Sequence, residues 1–198
     1  MNQPKELISL WSKISDRYPE IHIFLLPYQD TGSEFSALLQ KFGQDVDIVV
    51  ATGDINLWKG NFKEVPLGKT KAEITLSSLN PLSFKKKLSI EDLKGHAIRI
   101  TKKGNWPELD AIVEDLEKRN LDIHFIEREN YDFADYNDLA SNQELLISPK
   151  TWASTHPLLV SLPVDWKYTF ETNLLVPENP RPKVKTFLKA IEEARNLR

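Results

Sequence analysis

Short apolar runs of strand-like composition alternate with amphipathic stretches of helical periodicity along most of this chain. The run at 46–51 is almost continuously apolar, which is typical of a strand buried on both faces of a parallel sheet. One later stretch has an apolar stripe with the spacing of a helix, formed by Leu109, Ile112, Val113 and Leu116. Strands that alternate with helices predict mostly parallel sheets with helices on both faces. We therefore expect an α/β fold.

Start and stop signals divide the rest of the chain into elements. Helices are predicted from Leu7 to the Tyr18-Pro19 pair, between a cap at 31–33 and Gly43, and between the Ser89 cap and Gly95. Asn105 and Glu108 have the spacing of a capping box, and two prolines, Pro180 and Pro182, introduce a last helix. The first and the last helix each have an apolar stripe at helical spacing, formed by Leu7, Leu10, Trp11 and Ile14 and by Val184, Phe187, Leu188 and Ile191. A further short helix is predicted at 135–140, and extended segments are predicted at 21–28, 62–78, 96–101, 122–127, 145–148, 158–162 and 169–176.

The order of these elements predicts two Rossmann-like lobes joined by two crossover strands. Extended connections near 76–81 and 169–176 lead from one β-α-β set to the other and back. We assign residues 1–77 together with 175–198 to lobe I, and residues 78–174 to lobe II. Ligands of such sheets bind beyond the carboxyl ends of the strands, so two facing lobes would enclose a binding cleft.

Composition excludes several classes of chemistry. The 198 residues include no cysteine, which rules out disulfides, thiol nucleophiles and cysteine-ligated metals. The net charge of -3 gives no reason to expect that this segment binds DNA itself. The amino terminus contains no apolar stretch of the length that a secretory signal or membrane span needs. We expect a cytoplasmic protein without a membrane partner.

The sequence shows no catalytic machinery. It contains no glycine-rich phosphate loop and no Gly-x-Ser-x-Gly elbow, and its four histidines are scattered. Asp132, Asp135 and Asp138 line one side of a predicted helical turn, where they could bind a cation, but a hydrated first turn is the more common role. We expect a protein that is not an enzyme and that needs no metal or cofactor.

Hydroxyl groups and glycines at predicted strand ends are the candidate binding groups. Such groups hydrogen-bond a ligand without titrating, although they also terminate strands and cap helices. The adjacent Lys102 and Lys103 favour an anionic ligand, unless they are merely solvated. The candidate ligand-binding residues are Thr52, Gly53, Ser77, Thr101, Gly104 and Ser148.

Five segments are notable together: Tyr18-Pro19-Glu20-Ile21, the run 45–50, Asn80-Pro81-Leu82, the stretch 88–93 and the closing segment 180–190. Taken together, they resemble the effector-binding domain of LysR-type transcriptional regulators. Each is weak alone, but they occur in the order and spacing of that family over nearly the whole chain. The resemblance implies the type 2 periplasmic-binding-protein-like fold, in agreement with the two-lobed prediction.

The resemblance also implies a function. A metabolite in the cleft changes how the subunits of a homodimer or homotetramer pack, and so controls DNA-binding domains that contact the operator. In the family, groups at the positions of Thr52 and Thr101 touch the effector, and side-by-side antiparallel dimers place the first helix against the partner's second lobe. The family's winged helix-turn-helix and first lobe I strand have no counterpart before Leu7, and the segment 141–144 replaces a family Gly-x-Gly.

Two other functions suit the same architecture. A free-standing solute-binding protein of a transporter shares the fold, and an upstream signal peptide would favour it. An enzyme such as a deaminase or a prephenate-dehydratase-like lyase would need a titratable group with a shifted pKa inside the cleft. The sequence offers no good candidate for that group.

Overall fold

The computed structural model describes residues 5–26, 37, 38, 40–52, 62–129 and 131–196. The strands are β1 (Val49–Thr52), β2 (Phe62–Ser77), β3 (Ala97–Thr101), β4 (His124–Arg128), β5 (Leu145–Pro149), β6 (Leu159–Pro163) and β7 (Thr169–Pro177). The helices are α1 (Lys5–Trp11), α2 (Pro107–Lys118), α3 (Phe133–Ser141) and α4 (Pro182–Asn196), and residues 37, 38, 40 and 41 are helical as well. All three residues of the predicted cap at 31–33 and the predicted helical residue Leu39 lie outside the described residues.

Two long strands connect the two halves of the sheet, as the crossover prediction requires. The strand order is β1-β7-β2-β5-β3-β4, with β6 paired to β2. The first part of β2 pairs antiparallel with β7, and its last residues pair with β5 and β6. The parallel pairs are β3 with β4 and β3 with β5. The sequence prediction of a two-lobed α/β fold with crossover strands is confirmed at this level.

Two strand predictions need correction. The run at 46–51 was expected to form a parallel strand, but β1 covers Val49–Thr52 and pairs antiparallel with β7. Val49 and Ala51 pack on Leu175, whereas Val50 packs on the other side. Both faces of β1 are therefore covered. A continuous apolar run indicates burial on both faces, but it does not indicate whether the strand pairs parallel or antiparallel.

The predicted strand at 21–28 is wrong over the part that is described. Residues 21–26 belong to no strand, and residues 27 and 28 lie outside the described ranges. Phe24, Leu25 and Leu26 are largely exposed. An apolar, β-branched composition favours a strand only where a neighbouring strand supplies hydrogen-bond partners, and none does so here among the described residues.

The core of the second half forms between α2 and the parallel strands. All four residues of the predicted stripe on α2 are buried, and they pack against residues of β3 such as Ile98 and Ile100. The predicted capping box is wrong, because Trp106 is the N-cap residue and the helix begins at Pro107. A proline at the first helical position sets φ in advance, so the helix begins beyond Asn105 without an oxygen cap.

The first half has a separate core between α1, α4 and the β2–β7 pair. Leu10 and Ile14 pack with Phe187 and Ile191, which belong to the two stripes that helical spacing predicts. Each fully buried side chain of this kind contributes about 1.5–3 kcal/mol. The two cores agree with two lobes, and the exact lobe boundaries stay a prediction. Among the described residues, no helix is both long and apolar enough to span a membrane.

A short 3₁₀ helix, Ile90–Leu93, confirms the helix predicted after Ser89 and leads to a pH prediction. Its Asp92 carboxylate accepts hydrogen bonds from the Lys85 ammonium (2.5 Å) and from the Ser89 backbone N–H (2.9 Å). The Lys85 bond, followed by the Ser89 bond, lowers the pKa of Asp92 below its ordinary value. A lowered folded-state pKa stabilises the fold above the unfolded value of about 3.9, and this stabilisation is lost as the pH falls through the folded value.

We expect Asp92→Asn to lower the free energy of unfolding at pH 7, and the deficit to shrink as the pH falls below about 4. Urea denaturation at pH 7 and pH 3 measures both values. Asp165→Asn is the matched control, since Asp165 pairs with Lys87 at an exposed position and should show a smaller difference. A deficit that stays constant with pH would contradict the role given to Asp92.

Candidate ligand-binding site

The carboxyl ends of the three parallel strands lie at one edge of the sheet. Thr101 ends the central strand, β3, and is in register with Arg128 at the end of β4. Pro149 ends β5 on the other side of β3. This is the edge at which α/β sheets bind their ligands.

Five aromatic rings gather at this edge, and we call them the aromatic cluster: Trp106, Tyr131, Tyr136, Trp152 and Phe170. Trp106 stacks on Phe170 with ring centroids 4.2 Å apart and lies 6.1 Å from Trp152. Trp152 in turn lies 5.8 Å from Tyr131 and 6.5 Å from Tyr136. The cluster joins the loops after β4 and β5 to the start of α2 and to strand β7.

Four polar atoms at this edge are buried without a hydrogen-bond partner. They are Thr101 Oγ1, Trp106 Nε1, Tyr131 Oη and Trp152 Nε1, and in the part of the chain that is described they are the buried side-chain polar atoms without a partner. A buried polar group without a partner costs about 1–3 kcal/mol. Four such groups at one edge are unusual in a native fold, and they make this edge the candidate ligand-binding site.

Tyr131 remains a hydrogen-bond donor at neutral pH. Burial, followed by the nearby Tyr136, raises the pKa of the Tyr131 phenol above its ordinary value. The phenol therefore keeps its proton. All four unpartnered groups can donate a hydrogen bond, and the two indole N–H groups can do nothing else.

A buried arginine holds α3 against this edge. Arg99 is 1% exposed, and it donates to the carboxylates of Asp138 and Glu144 and to the backbone carbonyl of Asp135. Burial alone would lower the pKa of Arg99, but its hydrogen bonds to Asp138 and Glu144 raise that pKa above the ordinary value. Glu144 belongs to the segment that replaces the family's Gly-x-Gly, so this departure supplies a partner for Arg99.

The acidic turn of α3 is more than a hydrated surface. Asp132 and Asp135 form a reciprocal capping box, with hydrogen bonds of 3.0 and 3.1 Å. Asp138 binds Arg99, and the Asp135 carboxylate also lies 3.5 Å from the Arg128 guanidinium. No cluster of three or more metal-ligating side chains occurs among the described residues. Asp138 is 60% exposed, so it is hydrated as the sequence predicts, and it is also paired with Arg99.

The two lysines that favoured an anionic ligand are paired with carboxylates. Lys102 Nζ lies 2.7 Å from Glu129, and Lys103 Nζ lies 3.5 Å from Glu117. The hydrogen bond to Glu129 raises the pKa of Lys102. Both lysines are about half exposed, so they do not form a buried anion site.

Thr52 and Thr101, the residues with most support from the sequence, lie at the ends of different strands, β1 and β3. Thr52 Oγ1 is 2.9 Å from Thr172 Oγ1 across the β1–β7 pair. Thr172 follows Phe170 by two residues on β7, so the two side chains share a face of that strand. Thr52 is thus connected to the aromatic cluster through β7.

The other predicted residues are placed differently. The Ser77 hydroxyl is fully buried and donates to the Ala140 carbonyl (2.7 Å), and the Ser148 hydroxyl is 2.7 Å from the Thr75 hydroxyl. Gly104 has a φ of 92° and donates its N–H to the Asp110 carboxylate. Ser77, Ser148 and Gly104 therefore use these groups inside the fold, and Gly53 lies outside the described residues.

Sequence reasoning missed three residues of this site, namely Trp106, Tyr131 and Trp152. A signal for two of them was present, because Tyr131 and Trp152 each follow the end of a parallel strand by three residues. Trp106 stands directly before α2. Large aromatic residues just beyond the carboxyl ends of parallel strands could have been included as candidates alongside the hydroxyl groups.

No protein family matches the sequence, and no curated protein matches it either. Solved structures do resemble it. The effector-binding domain of QuiR in complex with shikimate has a TM-score of 0.65 at 14% identity, covering 96% of this chain and 90% of that one. The regulatory domain of Synechocystis CcmR in complex with 2-PG has a TM-score of 0.61 at 13% identity, covering 96% and 92%.

A third structure belongs to a longer protein. CbnR, a LysR family transcriptional regulator, has a TM-score of 0.69 at 12% identity, and the match covers 98% of this chain and 67% of CbnR. At such low identity these likenesses establish the fold. The chain therefore has the two-lobed fold of LysR-type effector-binding domains, as the sequence resemblance predicts.

Proposed function

We propose that this chain is the ligand-sensing and oligomerisation domain of a LysR-type transcriptional regulator and is not an enzyme. The observation that carries the proposal is the gathering of four unpartnered donors at the carboxyl edge of the parallel strands. Proteins of the same fold, QuiR and CcmR, were solved with small molecules bound. In this chain a small molecule would bind at the aromatic cluster, and DNA contact would fall to another domain.

The connecting strands suggest how binding would be transmitted. Phe170 lies on β7, which pairs with β2 along its length and with β1 further on, and its ring stacks on Trp106. A ligand that contacts both Thr101 and the Thr52–Thr172 pair would favour one arrangement of the lobes over others. Differential binding of this kind shifts a conformational equilibrium and changes subunit packing.

Oligomerisation is the second half of the proposal. Exposed apolar side chains, Phe24, Leu25 and Leu26, follow α1, and Ile8 on α1 is partly exposed. An exposed apolar surface of this kind is typical of a subunit contact. Sedimentation equilibrium of the purified chain tests this: a dimer that Phe24→Asp weakens supports it, and a monomer at all concentrations contradicts it.

A thermal-shift screen against organic acids, amino acids, nucleotides and sugar phosphates tests ligand binding. A ligand at 100 times its Kd adds about 2.7 kcal/mol to stability. A solute-binding protein of a transporter would also respond, so DNA binding by the full regulator, with and without the ligand, separates these two functions. An effector must change DNA binding.

Thr101→Val is expected to lower the affinity for a ligand found in this screen about tenfold. It should leave the free energy of unfolding unchanged or raise it by up to about 1 kcal/mol. The reason is that valine keeps the shape of the side chain and removes a buried hydroxyl that has no partner within the fold. Isothermal titration and urea denaturation measure the two effects. Thr186→Val on α4 is the control, and an unchanged affinity in Thr101→Val would remove Thr101 from the site.

A further inference from the structure

The hydrogen-bonding groups of the site select for acceptors. The indole N–H groups of Trp106 and Trp152 can only donate, and the hydroxyls of Thr101 and Tyr131 are free to donate. A primary ammonium group has only donors to offer. A bound molecule relieves the cost of these buried groups only if it presents oxygen or nitrogen lone pairs to them.

The charges around the site disfavour an anion. Three cations of the strands that end at this edge, Arg99, Arg128 and Lys102, are each paired with a carboxylate. Acidic side chains outnumber arginines around α3. The acidic ones are Asp132, Asp135, Asp138 and Glu144, and the arginines are Arg99 and Arg128. At Arg99, Arg128 and Lys102 an anionic ligand would lose its hydration without gaining an unpaired cation.

The aromatic side chains of the cluster favour a flat molecule. The rings of the aromatic cluster are mutually tilted, with centroids 4.2 to 6.5 Å apart. A conjugated ring gains stability from offset or edge contacts with such neighbours, in addition to the apolar area that it buries. A saturated ring or an open chain makes no contacts of this kind.

We propose that the ligand of this site is an uncharged, planar, conjugated molecule with carbonyl-type acceptors, which accepts hydrogen bonds from Thr101, Trp106, Tyr131 and Trp152. This inference rests on the proposed function, because it names the chemical class that the same site takes. It also replaces the anionic preference that the paired Lys102 and Lys103 had suggested.

Four small probes of similar size separate the classes. Benzamide is planar and neutral, benzoate is anionic, benzylamine is cationic, and cyclohexanecarboxamide is neutral but not planar. Titration calorimetry with the whole chain is expected to show benzamide binding at least about fivefold more tightly than any of the other three. Equal or tighter binding of benzoate, benzylamine or cyclohexanecarboxamide overturns the proposed class.

Variants identify the donors. Trp106→Phe and Trp152→Phe keep an aromatic ring and remove the N–H. Each is expected to lower the affinity for benzamide about three- to tenfold, as the loss of one hydrogen bond would. Trp11→Phe is the matched control, because Trp11 packs on Tyr18 and Phe187 in the other core. Unchanged affinity in both cluster variants overturns the assignment of the donors.

The outcome also distinguishes this inference from the proposed function. If none of the four probes binds, the class proposed here is overturned. A hit in the wider screen of acids, amino acids and sugar phosphates that Thr101→Val weakens would then preserve the sensing function with a different ligand class. If no compound binds in the four-probe titration or in the wider screen, both the proposed ligand class and the proposed sensing function are overturned.

Discussion

Replacing Arg99 with methionine is expected to lower the free energy of unfolding by about 3–5 kcal/mol. Arg99 is almost fully buried, and its guanidinium binds Asp138, Glu144 and the Asp135 carbonyl. Methionine fills much of the volume but leaves the carboxylates without their cation. Because these contacts join α3 to β3, the loss falls on the part of the fold that carries Tyr131 and Tyr136. Urea denaturation followed by circular dichroism measures the change.

Two further variants determine the cause of that loss. Arg119→Met removes an exposed arginine that pairs with Asp115 on α2, and it should cost less than about 1 kcal/mol. Adding Asp138→Asn and Glu144→Gln to Arg99→Met should restore part of the stability, because the uncompensated charges are then gone. A loss in Arg99→Met no larger than that in Arg119→Met would show that the buried network contributes little.

Phe170→Ala is expected to lower the free energy of unfolding by about 3–5 kcal/mol. Phe170 is fully buried on β7, and its ring stacks on Trp106 at 4.2 Å. Truncation leaves a cavity between the long connecting strands and α2, which the surrounding sheet cannot fill because β7 is paired with β2 along its length. Urea denaturation followed by circular dichroism measures this loss in the free energy of unfolding.

Phe84→Ala is the control for Phe170→Ala. Phe84 is 88% exposed, so its truncation removes little buried surface and should change stability by less than about 0.5 kcal/mol. Near-ultraviolet circular dichroism of Phe170→Ala should also change, since Trp106 loses its ring partner. An unaltered spectrum together with a small stability loss would contradict the contact between β7 and the aromatic cluster.

Helical faces were the most predictable part of the fold. The stripe on α2 and the apolar residues Val184, Phe187 and Ile191 of α4 are buried as their spacing predicts. Helix starts were less predictable, since Asn105 and Glu108 have capping spacing but Pro107 sets the start. A cap depends on the backbone angles of one residue, whereas a stripe sums over several turns.

The candidate site was only partly predictable. Thr101 was named from its position at a strand end, and its unpartnered hydroxyl agrees with that choice, although its role stays a prediction. Ser77 and Ser148 had the same signal, yet their hydroxyls are used by Ala140 and Thr75. A hydroxyl at a strand end looks the same in sequence whether its partner is a ligand or a distant residue.

The sequence by itself determined which helical faces are buried, the order of strands and α-helices from residue 62 onward, and the family likeness, because these depend on local spacing along the chain. The tertiary structure alone decided that β1 runs antiparallel to β7, that Arg99 is buried among acidic groups, and that four donors meet without partners. Each of these depends on pairing between residues far apart in the chain. Periodicity records that a side chain is buried, and only the folded chain determines what it is buried against.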